Sequence, residues 1–392
     1  MIKIENITAR KILDSRGDST IEVSLKTSNG RLFSTGVPQG KSKGMHEAIS
    51  VEPSIAVENV NKILGPALVG LDPSNQHAID QMLLNMDGTK DKSKMGANAI
   101  LGISFVCARA AAEEDGLPLW KYLRSISGLQ VPAGKNPRLY MNVINGGLHS
   151  SCGPNFQEYH IIPETNSFST AIEDGLEVFK RLGDILLQKF GKGAKFVGDE
   201  GGYSPQLNDN LEPFEILDVV IKGLPLKEKV DLGVDVAASN ITITIDELNK
   251  MYTTLVEKFG LIYIEDPFGE NDFDDFSKLT AKYGDKTTIV GDDLTATNPI
   301  IMKQVKEKNC INGIIIKPNQ IGTLTETFEA VKLAREWGWK VVVSHRSGET
   351  NDDFIADLAV GLGADGFKLG APMRGERIAK YNRLLQIDTE NR

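Results

Sequence analysis

From Leu232 onward the chain repeats one pattern six times: a short apolar run, an ionisable residue at its end, then a helix-length polar stretch. The ends are LGVD at Asp235, IYIED at Glu265, TIVGDD at Asp292, IIIKP at Lys317, VVVSH at His345 and GFKLG at Lys368. They lie 30, 27, 25, 28 and 23 residues apart, about the length of one strand–helix unit. A run such as Ile314–Ile316 shows no polar alternation, so it reads as a strand buried on both faces. Two further strands, in LYMNVINGG and FQEYHIIP, and two helices, Phe168–Phe190 and 211–223, precede the repeat. Eight strands with helices between them predict an α/β fold closed into a barrel. An open doubly wound sheet is the alternative, but it usually carries a GxGxxG turn after its first strand, and no such turn follows the first strand here.

The first third reads differently. Ile2, Ile4 and Ile7 mark one strand; Ile21, Val23 and Leu25 alternate in a second; Asn29-Gly30 is a hairpin turn before a return strand over 31–36. The polar LDSRGDS joins the first two strands. After the flexible loop VPQGKSKGMHEA, helical spacing predicts helices over 51–64, 76–86 and 98–114, with a short one at LPLWKYL. GLQVPAGKNPR, rich in Pro and Gly, reads as a linker. The predicted division is an α+β domain at 1–130 and a barrel domain at 131–392.

A net charge of −9 over 392 residues argues against non-specific nucleic-acid binding. Cys107, Cys152 and Cys310 form no CxxC pair, as expected of a reducing, cytoplasmic setting. MIKIENITAR has no apolar signal core, and no run reaches membrane-spanning length. The expected partner is therefore a small molecule, not a nucleic acid or a membrane.

A barrel of this kind turns the C-terminal ends of its strands to one mouth. That mouth would collect Glu158, Asp235, Glu265, Asp292, Lys317, His345 and Lys368, with Asp199 and Glu200 from the loop GDEGG. Any one of these alone is most often a solvated loop residue. Six successive units ending in ionisable residues at one phase weigh against that for the set. Asp235, Glu265 and Asp292 converge without cysteine, which suits a hard cation with oxygen ligands, Mg²⁺ above all. Burial and nearby positive charge are expected to lower the pKa of Lys317, making it a base, with Lys368 as its electrostatic partner. Arg346 and Ser347 in SHRSG match a phosphate. Together these predict proton abstraction next to a carboxylate, with a protonated Glu200 or Glu158 expelling hydroxide as water.

ARKILDSRG, KSKMGANAILGIS, MNVINGG, FQE, VGDEGG, IEDPF, DDLT, KPNQIGT, VSHRSGET, FIADLAVG and AKYN occur in this order, and through them the chain closely resembles the enolases. The resemblance implies a small α+β domain followed by a β2α2(βα)6 TIM-like barrel, dependence on two Mg²⁺ ions, a small phosphorylated anionic substrate and a homodimer. By motif, Asp235, Glu265 and Asp292 would bind the first ion and Ser42 would help hold the second. Lys317 would be the base and Glu200 the acid, with Glu158 assisting. Lys368 would contact the substrate carboxylate and Gln157 would line the site. His149, Arg346 and Ser347 would lie at the phosphate end, with His345 alongside.

The lid loops depart from the family. A loop resembling SGAST reads QGKSK here, which places Lys41 and Lys43 beside the substrate's phosphorus end. The acidic RDGD stretch after it is replaced by ISVEPSIAVENV, the second lid reads GLHSSCGPN, and the third is shortened. Lids govern specificity and exclude water. Two substrates are therefore expected alternatives: 2-phosphoglycerate, or a more anionic analogue of the kind dehydrated by carboxyphosphonoenolpyruvate synthase. A non-catalytic binding protein derived from an enolase would have lost a metal ligand or the base, and this chain has lost neither.

Overall fold

The computed structural model describes residues 2–41, 44–150, 153–207 and 209–390. Ser42, Lys43 and Cys152 lie outside them. The first sheet is antiparallel, in the order β1 (Ile4–Leu13), β2 (Ser19–Thr27), β3 (Leu32–Gly36). Ile21, Val23 and Leu25, alternating along β2, turn to the core. The first strand runs well past Ile7. Lys11, Ile12 and Leu13 pair with Ile21, Thr20 and Ser19, so the turn shrinks to residues 14–18.

The helices are α1 (Pro53–Asn59), α2 (Gly65–Leu68), α3 (Gln76–Asp87), α4 (Ala97–Glu114) and α5 (Leu119–Ser127). The helix expected over 51–64 is not one regular rod. It starts at Pro53, whose missing N–H is no loss in a first turn. It then widens into a π turn at Val60–Leu64 and continues as α2. Pro66 accounts for the widening: its ring clashes with the carbonyl four residues back and donates no hydrogen bond.

The barrel strands are β4 (Arg138–Asn145), β5 (Glu158–Pro163), β6 (Val230–Asp235), β7 (Tyr263–Glu265), β8 (Thr288–Gly291), β9 (Gly313–Ile316), β10 (Lys340–Ser344) and β11 (Gly366–Lys368). They close in the ring β10-β11-β4-β5-β6-β7-β8-β9. The strand β5 is antiparallel to both neighbours and the other pairs are parallel. Because β5 is reversed, its first residue, Glu158, stands at the end where the parallel strands finish. The helices between and after the strands are α6 (Phe168–Phe190), α7 (Glu212–Lys222), α8 (Ile245–Phe259), α9 (Phe273–Tyr283), α10 (Pro299–Glu307), α11 (Pro318–Ile321), α12 (Leu324–Glu336), α13 (Phe354–Gly361) and α14 (Gly375–Glu390).

The barrel is filled below its mouth. Tyr140, Ile162, Tyr263, Val290, Ile315 and Val342 form a separate interior cluster. Tyr140 and Tyr263 meet edge to face, with ring centroids 4.8 Å apart, a favoured aromatic geometry. Gly233 makes room for them, since a Cβ there would come within 3.1 Å of Tyr263.

Polar ties hold the first sheet and its helices against the barrel. Arg109 of α4 reaches Asp352 at 2.8 Å and Asp353 at 3.0 Å. Thr35 of β3 donates to the same Asp352 at 2.8 Å. Asp80 of α3 accepts from the Thr325 amide and hydroxyl at 2.9 and 2.6 Å. The chain leaving β3 then crosses the barrel mouth, where the amides and carbonyls of Gln39 and Gly348 bond reciprocally at 2.8 and 2.9 Å. Among the described residues, no helix is long and apolar enough to cross a membrane.

Candidate active site

Every strand-end residue expected at the mouth is there. Glu158, Asp235, Glu265, Asp292, Lys317, His345 and Lys368 are all less than one tenth exposed, as are His149, Gln157, Glu200, Arg346 and Ser347. One cavity is lined by Glu158, Glu200, Asp235, Asp292, Lys317 and Lys368, together with His149, Gln157, His345, Arg346 and Ser347. In the ring order β5 and β9 stand four places apart, so Glu158 and Lys317 come from opposite walls.

Lys368 extends from β11 across the barrel. Its Nζ lies 2.8 Å from Asp235 Oδ2, 2.9 Å from Glu265 Oε2 and 3.1 Å from Glu158 Oε1. Glu265 also accepts from the Tyr263 hydroxyl at 2.5 Å. Lys317 Nζ bonds Asp292 Oδ2, and Gln320 donates to Asp292 Oδ1 at 3.0 Å. Gln157 Nε2 donates to Asp235 Oδ2 at 3.3 Å.

These contacts reverse one expectation. The pKa of Lys317 stands above the usual lysine range: burial opposes its charge, but the Asp292 carboxylate outweighs burial. Lys368 is raised further, because Asp235, Glu158 and Glu265 outweigh the same burial. Positive neighbours do depress the lysines, but in this ring the carboxylates outnumber the cations. Glu265, buried beside Asp235, is itself pushed up to about 8.

Glu200 and Glu158 form the other half. Glu200 Oε2 accepts from Asn142 Nδ2 at 2.9 Å and lies 3.3 Å from His345 Nε2. His149 Nδ1 stands between the two carboxyls, 3.5 Å from Glu158 and 3.6 Å from Glu200. His160 Nε2 is 2.9 Å from Glu158. Burial and the charge of Glu200 raise the pKa of Glu158 well above the carboxylate range. Glu200 goes the other way: burial is outweighed by His345, His149 and Arg377. The two carboxyls are thus pushed apart, Glu158 toward its neutral form and Glu200 toward its charged form, whereas the motif resemblance names Glu200 as the acid.

At the third corner Arg346 forks onto Glu47, with Nη2 3.1 Å and Nη1 3.2 Å from its two oxygens, and donates to Asn319 at 3.1 Å. The Lys41 amide donates to Ser347 Oγ at 2.9 Å. The Lys41 ammonium, expected at the phosphorus end of a substrate, donates to Leu148 O at 2.7 Å and meets Asp199 at 3.3 Å. The expected roles of Ser42 and Lys43 fall outside the described residues.

Sequence reasoning passed over several participants. Asp266, with a left-handed φ of 40°, is buried, and its two oxygens accept from the amides of Asp292 and Asp293 at 2.9 Å each. Its signal was the second acid in IEDPF. Glu47 sat unread in the loop after QGKSK. Asn142 and His160 sit within strands that the sequence marks only as apolar.

The donor set fits a hard divalent cation. Asp235, Glu265 and Asp292 offer carboxylate oxygens with no thiolate, and buried Gln157 Oε1 has no hydrogen-bond partner among the described residues. Among the described residues, two groups have ligand atoms within 4.8 Å of one another, Asp266, Asp292 and Asp293, and His149, Glu158 and Glu200; the expected triad of Asp235, Glu265 and Asp292 is not one of them.

Comparison with known proteins decides the relationship. A family model described as "Enolase, N-terminal domain" matches residues 4–123, and "Enolase, C-terminal TIM barrel domain" matches 135–243 and 239–391. The chain belongs to the enolase family. Enolase B of Dictyostelium discoideum is 42% identical over 427 residues, covering 99% of this chain and 95% of its own. The enolase of Methanopyrus kandleri is 42% identical over 416 residues, covering 100% and 96%. That of Solanum lycopersicum is 41% identical over 433 residues, covering 100% and 96%. The protein is accordingly a lyase of the phosphopyruvate hydratase type, and enolase membership implies Mg²⁺.

Proposed function

We propose that this enolase dehydrates 2-phosphoglycerate to phosphoenolpyruvate, the glycolytic reaction, with two Mg²⁺ ions. One observation supports this reading above the others: Lys317 and the Glu158–Glu200 pair line the same buried cavity, Glu158 and Lys317 from opposite walls, and the strands ending in Asp235, Glu265 and Asp292 lie between those walls in the ring. An anti elimination places its base and its acid on opposite sides of the substrate, each within reach of the proton it moves. Lys317 Nζ takes the proton next to the carboxylate, and Lys368 holds that carboxylate. Glu200, with Glu158 assisting, protonates the departing hydroxyl. Arg346, Ser347 and His149 hold the phosphate, His345 supports Glu200, and Gln157 lines the wall. Asp235, Glu265 and Asp292 would hold the first ion and Ser42 the second. Bound there, the ions supply positive charge that stabilises the enolate-like anion. Those carboxylates would also be drawn away from the lysines, so Lys317 would lose the counter-charge that keeps it protonated.

The test is formation of the enol phosphate from 2-phosphoglycerate, followed by ultraviolet absorbance with saturating Mg²⁺; no turnover sinks the reading. A homodimer is part of the same proposal. The exposed Leu13 and Leu32 on the first sheet support it, and sedimentation at several concentrations checks it.

One observation favours a second reading, a paralogue acting on a more anionic analogue in phosphonate or phosphinate biosynthesis. Lys41 adds a cation at the rim, within reach of Leu148 O. On that reading Lys41→Ala raises KM for the more anionic substrate far more than for 2-phosphoglycerate. An equal effect on both counts against it.

A further inference from the structure

Arg377, in the first turn of α14, is completely buried. Its Nη2 donates to Ser347 O at 2.9 Å and to Asp199 O at 3.3 Å. The nearest carboxylate, Glu376, is 3.9 Å from Nε. Nε and Nη1 have no hydrogen-bond partner among the described residues. Burying a guanidinium this way is costly, and an apolar side chain of similar volume is often neutral or better for stability. Packing alone therefore does not account for a charge here.

The two carbonyls belong to the two ends of the site. Asp199 immediately precedes Glu200, and Ser347 is the hydroxyl of the expected phosphate clamp. Gly370, at φ 79°, packs close to Glu200, Arg377 and His345. A Cβ there would meet Glu200 O at 2.9 Å, Arg377 Cδ at 3.0 Å and His345 Cε1 at 3.0 Å. The groups around Glu200 come from several elements: His149 after β4, Glu158 on β5, His345 after β10, Lys368 on β11 and Arg377 on α14. Arg377 is the one among them that also bonds the phosphate-clamp backbone. Lys41 joins the same two residues from the solvent side, through Ser347 Oγ and the Asp199 carboxylate.

We propose that Arg377 is a positioning residue that fixes the loop bearing Glu200 to the loop bearing Ser347, so that the proton donor is registered against the phosphate end of the substrate. This rests on the elimination proposed above. It gives Arg377 no contact with the Lys317 half, so its loss should slow expulsion of hydroxide and spare proton abstraction. A misplacement of about 1 Å is enough to cost about 100-fold in such a step.

The test measures two rates with 2-phosphoglycerate and Mg²⁺ in D₂O: exchange of the α-proton by NMR, and enol phosphate formation by absorbance. For Arg377→Met, elimination should fall about 100-fold, while exchange and KM stay close to wild type. Arg377→Lys, which keeps the charge and one donor, should recover most of the lost elimination rate. Equal loss of exchange and elimination, unchanged elimination, or a lysine variant no better than methionine would each overturn the inference. Should the methionine variant not fold, Arg377→Lys decides alone: a several-fold drop confined to elimination supports the proposal, and a drop in both rates overturns it. A wild-type protein showing neither rate overturns the proposed function and this inference with it. An active wild type with unselective variants overturns only the inference.

Discussion

Lys317 leaves the end of β9 and meets Asp292 from the neighbouring β8, with Gln320 of the four-residue α11 bonded to the same carboxylate. Glu200, across the cavity, sits on a loop between α6 and α7. It is held by Asn142 from β4, His345 after β10 and the backbone ties of Arg377. The base half is thus built from adjacent strands, whose positions the barrel itself dictates. The acid half is assembled from segments far apart in sequence. The proposed proton acceptor is placed by adjacent strands, whereas the proposed donor depends on side chains that fasten a loop.

The contrast is broken most directly at Lys317. Lys317→Ala should abolish both α-proton exchange and elimination, each by about 10⁴-fold, the upper range for general-base catalysis. Surviving exchange would show that the base lies elsewhere. Glu200→Gln should lower elimination by about 10²- to 10³-fold with exchange persisting, as followed by the same two assays.

Asp266→Ala asks whether the base half is as self-supporting as its strands suggest. It frees the amides of Asp292 and Asp293, and loss of such a supporting contact costs about 10-fold or more in metal affinity. The rise in Tm on titrating Mg²⁺ should shift to correspondingly higher concentration; an unshifted titration would mean that the strand ends suffice.

Acid should separate the halves. Burial holds the pKa of His345 down to about 4, against a usual value of 6.5. Between those values the unfolded chain binds a proton that the folded chain refuses, so stability falls as pH drops from 6.5 toward 4. Asp292 has a depressed pKa, since Lys317 outweighs burial. Its contribution is present above the usual 3.8 and is lost only as pH falls through the lower folded value. The acid half should therefore loosen first. His345→Gln should flatten the decline in Tm between pH 7 and pH 5 by about 2 °C or more. The smallest effect is expected for Lys41→Ala, which removes a half-exposed ion pair worth about 1 kcal/mol or less. Elimination of 2-phosphoglycerate should change only a few-fold.

What the sequence disclosed follows the same division. Strand ends at a regular spacing announced the barrel and the base half, because burial on both faces leaves a run such as Ile314–Ile316 with no other reading. The pKa of Lys317 was misread because the number of carboxylates meeting a lysine is set by the closed ring. The acid half was legible only as GDEGG. Arg377 lies in GERIAKYN, where helical arginines are ordinarily solvated, and nothing local says that its guanidinium turns under two loops. Nor does an apolar strand reveal that Asn142 holds a carboxyl. The widened turn at Val60–Leu64 was missed because its cause, Pro66, lies beyond the predicted helix.

Tyr263 fills the floor of the barrel with its ring and holds Glu265 with its hydroxyl. The barrel interior and the carboxylates at its mouth are therefore mechanically one unit. A change at Gly233 or Tyr140 that merely resettles the ring also re-aims a carboxylate at the mouth. Such buried neighbours offer a place from which the mouth can be adjusted without altering any residue that lines the cavity.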